Sequence, residues 1–243
     1  ALTIVAAVMG GSLAWWLGLS HLIARFRHRL SLSRLQLVNQ IAGLLLVAVA
    51  GSALTLGLLA LRLNRTGLPH FGFLASNLAL AWIPMILALS IFAAHRLRAG
   101  SLTLVVLGVA WLVFLPNAPY LVTDVIHLRT VWGGVPWWFD AALIGSAAGT
   151  GLLLGYAALL VVQVVVAERH GEAAGWIFAT AALLASGVGV YIGRFLRLNS
   201  WDVVSRPEAL VDLARSRLAD PLANELLLGT VAIVGTMLIA GYL

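Results

Sequence analysis

The chain has 243 residues, of which 62% are hydrophobic and 10% are charged, and its formal net charge is +6. Because soluble domains carry roughly 25% charged residues, this composition excludes a soluble protein whose whole surface faces water. It predicts one all-α integral-membrane domain over residues 1–243, surrounded by membrane lipids. Arginines in short loops between membrane spans explain the net charge, so we expect no nucleic-acid partner.

Two missing residue types restrict the chemistry. The chain has no cysteine, which excludes disulfides and thiolate metal ligands and leaves no site for covalent haem attachment. All fifteen basic residues are arginine, so no lysine can form a Schiff base with retinal. The cofactor stays unknown at this point, with a divalent metal as one candidate.

Apolar blocks along the chain predict a bundle of about seven membrane-spanning helices. A helix needs about 20 apolar residues to cross a hydrocarbon core of ~30 Å. The first block is longer than the ~7–15-residue core of a signal peptide, so we interpret it as a span. The predicted spans cover residues 2–24, 41–61, 73–94, 101–115 with a restart after a break, 141–167, 174–193 and 222–243.

The fourth span is interrupted by the stretch FLPNAPYLVTDVIHL, residues 114–128. Residues 101–115 reach only about 22 Å at ~1.5 Å per residue, and Pro116 and Pro119 each remove a backbone donor. Asn117 can cap a helix that restarts at 118 and runs to about 128. The N-terminus of this half-helix would point free N–H groups into a cavity. The alternative is a kinked helix with a structural role only.

Three polar side chains share one face of the predicted restart. Tyr120, Asp124 and His127 follow i, i+4, i+7 spacing. A carboxylate and an imidazole at i, i+3 can ligate one metal ion or form an acid–base pair. The alternative is a salt-bridged or capping pair.

Alternation of the spans places further polar groups at the same membrane face. Ionisable groups at that depth are expected to pair with one another or to serve a ligand. The candidate acid–base residues are Asp124, His127, Asp140 and Asp202, the first two also being candidate metal ligands. The candidate substrate-binding residues are Asn117, Tyr120, Arg194, Arg197, Asn199 and Trp201.

Arg194 and Arg197 fall on one face if the sixth helix continues past them, and arginines there suit a phosphate or carboxylate. Their other expected role is to pair with acidic residues of the cluster. Residues 207–218 predict an amphipathic helix at the membrane interface, because twelve residues cannot span and the preceding Ser205 fits a capping box with Glu208.

Small residues and one glutamine predict close helix packing within the bundle. Gln163 is expected to hydrogen-bond to a neighbouring helix. The glycine pairs with small-xxx-small spacing are Gly145/Gly149, Gly151/Gly155 and Gly189/Gly193.

The arginine distribution gives an orientation. Odd and even loops carry nearly equal numbers of arginines, so the first loop decides, with four arginines at positions 25, 27, 29 and 34. This predicts the N-terminus outside and the C-terminus in the cytoplasm.

Four sequence blocks carry a family resemblance: NLALAWIP, FLPNAPYLVTDVIHL, WFD and GRFLRLNSWD, between residues 77 and 202. Together they resemble the signature blocks of a bacterial family of predicted multi-pass membrane proteins that is described only as a domain of unknown function. The resemblance implies a bacterial cytoplasmic (inner) membrane location and assigns no activity.

Three functional hypotheses remain. The first is a membrane-embedded enzyme or binder for a lipid-linked or anionic substrate at the extracytoplasmic face. The second is a non-catalytic accessory subunit of a larger membrane complex, whose polar cluster is structural. The third is a transporter, which is less favoured because the sequence shows no inverted repeat and only one clearly broken span.

Overall fold

The computed structural model describes residues 17, 32–129, 134–198, 200–208, 212 and 224–243. The chain divides into two compact units, Ala1–Gly43 and Leu44–Leu243, and every contact discussed below lies within the second. The helices, in chain order, are α1 (Leu32–Thr66), α2 (Phe73–Arg96), α3 (Ser101–Phe114), α4 (Asn117–Tyr120), a 3₁₀ helix (Leu121–Arg129), α5 (Trp137–His170), α6 (Glu172–Phe195), α7 (Asp202–Ser205) and α8 (Glu225–Tyr242).

The described residues confirm the predicted all-α membrane bundle. No strand occurs among them, and six helical segments are long and apolar enough to cross a bilayer. These are Val38–Thr66, Phe73–Arg96, Ser101–Leu128, Trp137–His170, Glu172–Phe195 and Glu225–Tyr242. They correspond to the predicted second to seventh spans. The predicted first span lies outside the described residues, as does most of the predicted interfacial helix.

Helix α5 is the central element of the second unit. Its most apolar stretch is 61% buried, the largest share among the six candidate spans. It packs against α2, α6, α4 and the 3₁₀ helix, with Leu143, Leu154 and Leu159 fully buried. A helix that is hydrophobic all round is expected in such a position.

Helix α8 packs against α6 and is joined to α5 by two tyrosines. The Tyr156 hydroxyl donates to the carbonyl of Leu238 at 3.1 Å, and the Tyr242 hydroxyl donates to the Gln163 side chain. The predicted helix–helix hydrogen bond of Gln163 is therefore confirmed. Polar side chains inside a bilayer are expected to hydrogen-bond to neighbouring helices, because the hydrocarbon core contains no water to bond them.

The predicted interruption of the fourth span is a two-residue turn whose residues keep helical dihedral angles, so the span Ser101–Leu128 is locally distorted and not divided by non-helical backbone. Helix α3 ends at Phe114, and Leu115 and Pro116 form a turn before α4. The chain then tightens into nine residues of 3₁₀ helix, longer than the three or four residues that such helices usually reach. The restart thus begins at Asn117, one residue earlier than predicted, and it is mostly 3₁₀ instead of α-helix.

The predicted capping role of Asn117 is wrong. Pro116 takes the cap position with helical angles, φ −61° and ψ −20°, which its ring favours. The Asn117 side chain instead donates back to the carbonyl of Phe114 at 2.9 Å. Because the backbone stays helical through the turn, the amide of Ala118 donates to Leu115 at 3.2 Å. That N–H group is therefore not directed at a ligand.

Glycines on α5 make room for α4 on one side. A Cβ on Gly151 would overlap the carbonyl oxygen of Ala118, and a Cβ on Gly155 would lie 3.2 Å from the Ala118 Cβ. This small-xxx-small pair therefore lets the backbone of the interrupted span approach α5 closely. The Gly145/Gly149 pair has no such role within the described part of the chain, because a Cβ at either position would meet none of its atoms within 4 Å.

Glycines on α6 receive the same segment from the other side. A Cβ on Gly193 would lie 3.2 Å from the Tyr120 ring, and a Cβ on Gly189 would overlap the Pro116 ring.

The Gly189→Val variant should therefore lose about 1–3 kcal/mol of unfolding free energy through overpacking. Unfolding by SDS in mixed micelles, followed by circular dichroism, measures this difference. The control is Gly145→Val, which has the same helix propensity change in open space, and equal stability of the two variants would contradict the close approach of α6 to Pro116.

Candidate functional site

A groove of about 410 Å³ lies beside the interrupted span. It is bounded by α2, by α3 and α4, and by α6 with the turn that follows it. Its polar lining consists of Asn77, Asn117, Tyr120 and Ser200, and its apolar lining includes Leu80, Leu112, Val113, Ala185, Val188 and Ile192. The groove is thus amphiphilic, with polar groups where the fourth span breaks.

A buried ion pair stands behind the polar wall of the groove. Asp124 of the 3₁₀ helix is almost completely buried, and Arg194 near the end of α6 approaches its Oδ1 at 3.3 Å. Asn77 of α2 donates to Oδ2 of the same carboxylate at 3.2 Å, while Arg194 also donates to the carbonyl of Thr123 at 3.1 Å. The structure therefore brings together the predicted Asp124 and Arg194. Pairing is the expected state of two charges buried in an apolar bundle.

Arg194 also connects this ion pair to the groove. Its Nη1 donates to the Tyr120 hydroxyl in a long contact of 3.5 Å, and its guanidinium lies 5.8 Å from the centre of the Tyr120 ring. Tyr120 lines the groove, whereas Arg194 does not. Of these two predicted substrate-binding residues, Tyr120 therefore belongs to the groove wall, and Arg194 contacts the groove wall through Tyr120.

His127 lies near Asp124 without a direct hydrogen bond. Its Nε2 is 4.0 Å from Asp124 Oδ1, its side chain is 39% exposed, and its ring packs against Phe73 with centroids 4.8 Å apart. A metal shared by these two side chains would sit beside the Arg194 guanidinium, whose charge repels a cation. Among the described residues, no group of three or more His, Asp or Glu side chains is arranged to hold a metal ion. Metal ligation and acid–base pairing by Asp124 and His127 both stay predictions, since the two side chains share no direct hydrogen bond.

Asn117 and Ser200 tie the break to the turn after α6. The Asn117 amide donates to the Ser200 hydroxyl at 2.8 Å, and that hydroxyl donates to the carbonyl of Val113 at 3.0 Å. Ser200 was missed in the sequence, although it lies within the GRFLRLNSWD block. Asn199 beside it lies outside the described residues, so its predicted role has no structural counterpart here.

Asp140 does not join the Asp124 cluster, contrary to the predicted arrangement. It lies in the first turn of α5 and binds Arg62 near the end of α1, with Nε–Oδ1 at 2.6 Å and Nη2–Oδ2 at 3.2 Å. Both side chains are buried, and the guanidinium lies 4.4 Å from the centre of the Phe71 ring. Arg62 directly follows the predicted second span, at a position where the sequence predicts an arginine in a loop. The two ends meet because α1 and α5 bring them together at the same end of the bundle.

Asp202 is also buried, and it forms contacts next to the site. Arg206 Nη2 lies 3.0 Å from its Oδ2, and the Ser205 hydroxyl donates to its Oδ1 at 3.2 Å. Ser205 is the last residue of α7, and helix resumes at Pro207 and Glu208, where the sequence predicts the first turn of the interfacial helix. Trp201, a predicted substrate-binding residue, is 47% exposed.

The predicted common face of Arg194 and Arg197 is not formed. Helix α6 ends at Phe195, and Arg197 has a left-handed backbone with φ 55° and an exposed side chain. The helical spacing that would have aligned the two arginines therefore stops between them. Of the two, Arg194 is the one that contacts the candidate site.

Comparison with protein families identifies the chain. A family model described as "Protein of unknown function (DUF1361)" matches residues 76–240, more than half of the chain. The chain belongs to the DUF1361 family. The DUF1361 match includes the groove and the Asp124–Arg194 pair, whereas Arg62 lies before it. The resemblance predicted from the four sequence blocks is thereby confirmed as membership of a family of unknown function. Comparison with curated proteins and with solved structures gave no match.

Proposed function

We propose that this DUF1361 chain binds an amphiphilic, lipid-linked substrate with an anionic headgroup in the groove beside the interrupted fourth span. The observation that carries the proposal is the contact of Arg194 with Tyr120 in the groove wall, backed by the buried Asp124. On the predicted orientation the groove faces the extracytoplasmic side of a bacterial cytoplasmic membrane.

The two halves of the lining support an amphiphile. Leu80, Leu112 and Val188 offer an apolar surface for a hydrocarbon chain, while Asn117 and Tyr120 supply polar groups at the break. Ligand sites typically combine a mostly apolar lining with a few placed polar groups that fix orientation. A headgroup would therefore lie at the broken helix, with its chain along the groove.

The donors at the polar end support an acceptor-rich headgroup such as a phosphate. The Tyr120 hydroxyl accepts from Arg194, which leaves its own hydrogen for an oxygen in the groove. A guanidinium has five N–H donors, and the contacts with Tyr120, Asp124 and Thr123 use three of them. Arg194 is 18% exposed at its side chain and lies outside the groove lining, so it would act on a bound anion through its charge and through the Tyr120 hydroxyl.

If binding leads to reaction, His127 is the candidate group for proton transfer, and it lies outside the groove lining. Its imidazole is partly exposed, and its Nε2 lies 4.0 Å from Asp124 Oδ1. In this reading Asp124 is a positioning residue, since its own carboxylate is buried behind Arg194 and Asn77.

An accessory subunit of a larger membrane complex is the second candidate function. The observation in its favour is that the charged side chains neutralise one another internally, as Asp140 does with Arg62 and Asp124 with Arg194. Such pairs fit a scaffold as well as a binding site.

A matched pair of alanines on α6 tests the binding proposal. Ala185 lines the groove, while Ala181 lies one turn away on the same helix, is equally exposed and lies outside the groove lining. The Ala185→Trp variant should fill the groove and weaken hexadecyl phosphate binding at least tenfold, and Ala181→Trp should bind as the parent does. Native mass spectrometry of the detergent-solubilised protein, titrated with hexadecyl phosphate or the uncharged hexadecyl maltoside, gives both affinities. Equal binding by the two variants, or no preference for the phosphate, would contradict the proposal.

A further inference from the structure

A second cavity, of about 390 Å³, opens at the opposite end of the bundle between α3 and α5. We call it the cleft. Leu104, Val105 and Gly108 of α3 line one side, and Val162 and Val166 of α5 line the other. The lining is almost wholly aliphatic, which suits a hydrocarbon chain and gives little to hold a polar solute.

The closed end of the cleft is formed by stacked rings. Trp111 of α3 and Phe178 of α6 stack with centroids 5.8 Å apart, and Trp111 is fully buried. Ser101, at the mouth, lies ten residues before Trp111, so the cleft is about 15 Å deep along α3. Leu112 lines both the cleft and the groove, and it is the one lining residue that the two cavities share among the described residues.

Basic side chains stand at the mouth of the cleft. Arg169 and His170, in the last turn of α5, line it and are both exposed. The Nε of Arg169 donates to His95 Nδ1 at 3.3 Å, which holds the guanidinium near the end of α2. The α2–α3 and α5–α6 connections and the helix ends beside them carry three arginines, at positions 96, 98 and 169, against two acids, Glu168 and Glu172. The mouth therefore has an excess of positive charge.

The helix termini act against an anion here, and the arginines outweigh them. The C-terminus of a helix carries a partial negative charge of roughly half an elementary charge, which full charges on Arg169 and its neighbours exceed. Glu168 is already engaged by His95 at 2.9 Å and by Arg96 at 3.1 Å. An anion at the mouth would thus meet Arg169 before any unpaired carboxylate of this local cluster.

We propose that the cleft is a binding site for an anionic phospholipid, with one acyl chain between α3 and α5 and the phosphodiester at Arg169 and His170. Basic pockets between membrane helices on the cytoplasmic side are suited to anionic lipid headgroups. The orientation predicted from the arginines places this end of the bundle in the cytoplasm. Arg169 can bind a phosphate through two parallel N–H donors. A zwitterionic headgroup also carries a cation, which weakens the attraction of that headgroup to the arginine.

Two matched pairs of variants test this site. Gly108→Leu should fill the cleft, because a Cβ at Gly108 meets nothing within 4 Å, and Gly145→Leu makes the same change in open space on α5 outside the cleft. Arg169→Gln removes the cation at the mouth, and Arg98→Gln removes an exposed arginine that does not line the cleft.

The measurement is native mass spectrometry of the full chain in mild detergent, titrated with dioleoylphosphatidylglycerol or dioleoylphosphatidylcholine. The parent should prefer phosphatidylglycerol at least fivefold, and 5 mM inorganic phosphate should not displace it. Gly108→Leu should lose both lipids, Arg169→Gln should lose only the preference, and the two controls should behave as the parent does.

Three results would overturn the proposal. The first is unchanged lipid binding by Gly108→Leu, and the second is an equal loss of preference in Arg169→Gln and Arg98→Gln, which would indicate diffuse surface charge. The third is displacement of the lipid by free phosphate. All proteins in this test carry Ala185→Trp, which fills the groove, so that anionic lipid bound in the groove does not enter the comparison and the two proposals can fail separately.

Discussion

Replacing Arg62 with leucine should lower the free energy of unfolding by about 3–5 kcal/mol, which is the usual effect of leaving one charge of a buried pair without its partner. The substitution removes both hydrogen bonds to the Asp140 carboxylate and the stacking of the guanidinium on Phe71. Asp140 lies in the first turn of α5, and its charge would stay buried. SDS unfolding followed by circular dichroism gives the difference from the parent.

The double variant Arg62→Leu/Asp140→Leu should recover most of this loss. Apolar replacement of a whole buried ion pair is often neutral or stabilising, and Arg62 Nη1 has no hydrogen-bond partner among the described residues. The control is Arg65→Leu, one turn along α1 and exposed, which should change stability by less than about 0.5 kcal/mol. Two results would show that the Arg62–Asp140 pair does not cause the loss of stability. One is an equal loss of stability in Arg65→Leu, and the other is a double variant less stable than Arg62→Leu.

The Asp124→Leu variant should lower the free energy of unfolding by about 2–4 kcal/mol. The loss should be smaller than that of Arg62→Leu, because the Arg194 side chain is 18% exposed and can turn toward a polar surface. The substitution leaves Arg194 without its carboxylate and Asn77 without its acceptor. The same SDS titration measures the loss. His127→Ala is the control on the same 3₁₀ helix, and its stability should stay within about 1 kcal/mol of the parent because the side chain is 39% exposed.

Removing both charges separates a structural pair from a binding pair. Asp124→Leu/Arg194→Leu should regain stability relative to Asp124→Leu while losing its preference for hexadecyl phosphate over hexadecyl maltoside. A stable double variant that still prefers the phosphate would contradict the proposed role of Arg194 in the groove and would favour the accessory-subunit function. A double variant less stable than Asp124→Leu would contradict the pairing itself.

The candidate site was partly predictable from the sequence. Asp124 and Arg194 were expected near each other because alternation of the spans places their helix ends at the same side of the bundle. Asn117 and Tyr120 were expected at the break, and both line the groove. The partner of Asp140 was not predictable, because two acids on one side of a bundle can each reach several arginines. Only the lateral order of the helices decides which pairs form.

The sequence by itself determined the membrane bundle and the position of its interruption. Apolar length sets where helices cross a bilayer, and Pro116 and Pro119 remove backbone donors wherever the chain folds. Tertiary structure decided that most of the restarted helix is 3₁₀, that Ser200 lines the groove and that Asp140 binds Arg62. These features depend on how closely α5 and α6 approach the break, which glycines permit but spacing along the chain does not specify. Helix packing fixes how each helix is rotated about its axis and how far it lies from its neighbours. The residue periodicity within one helix specifies neither of these quantities.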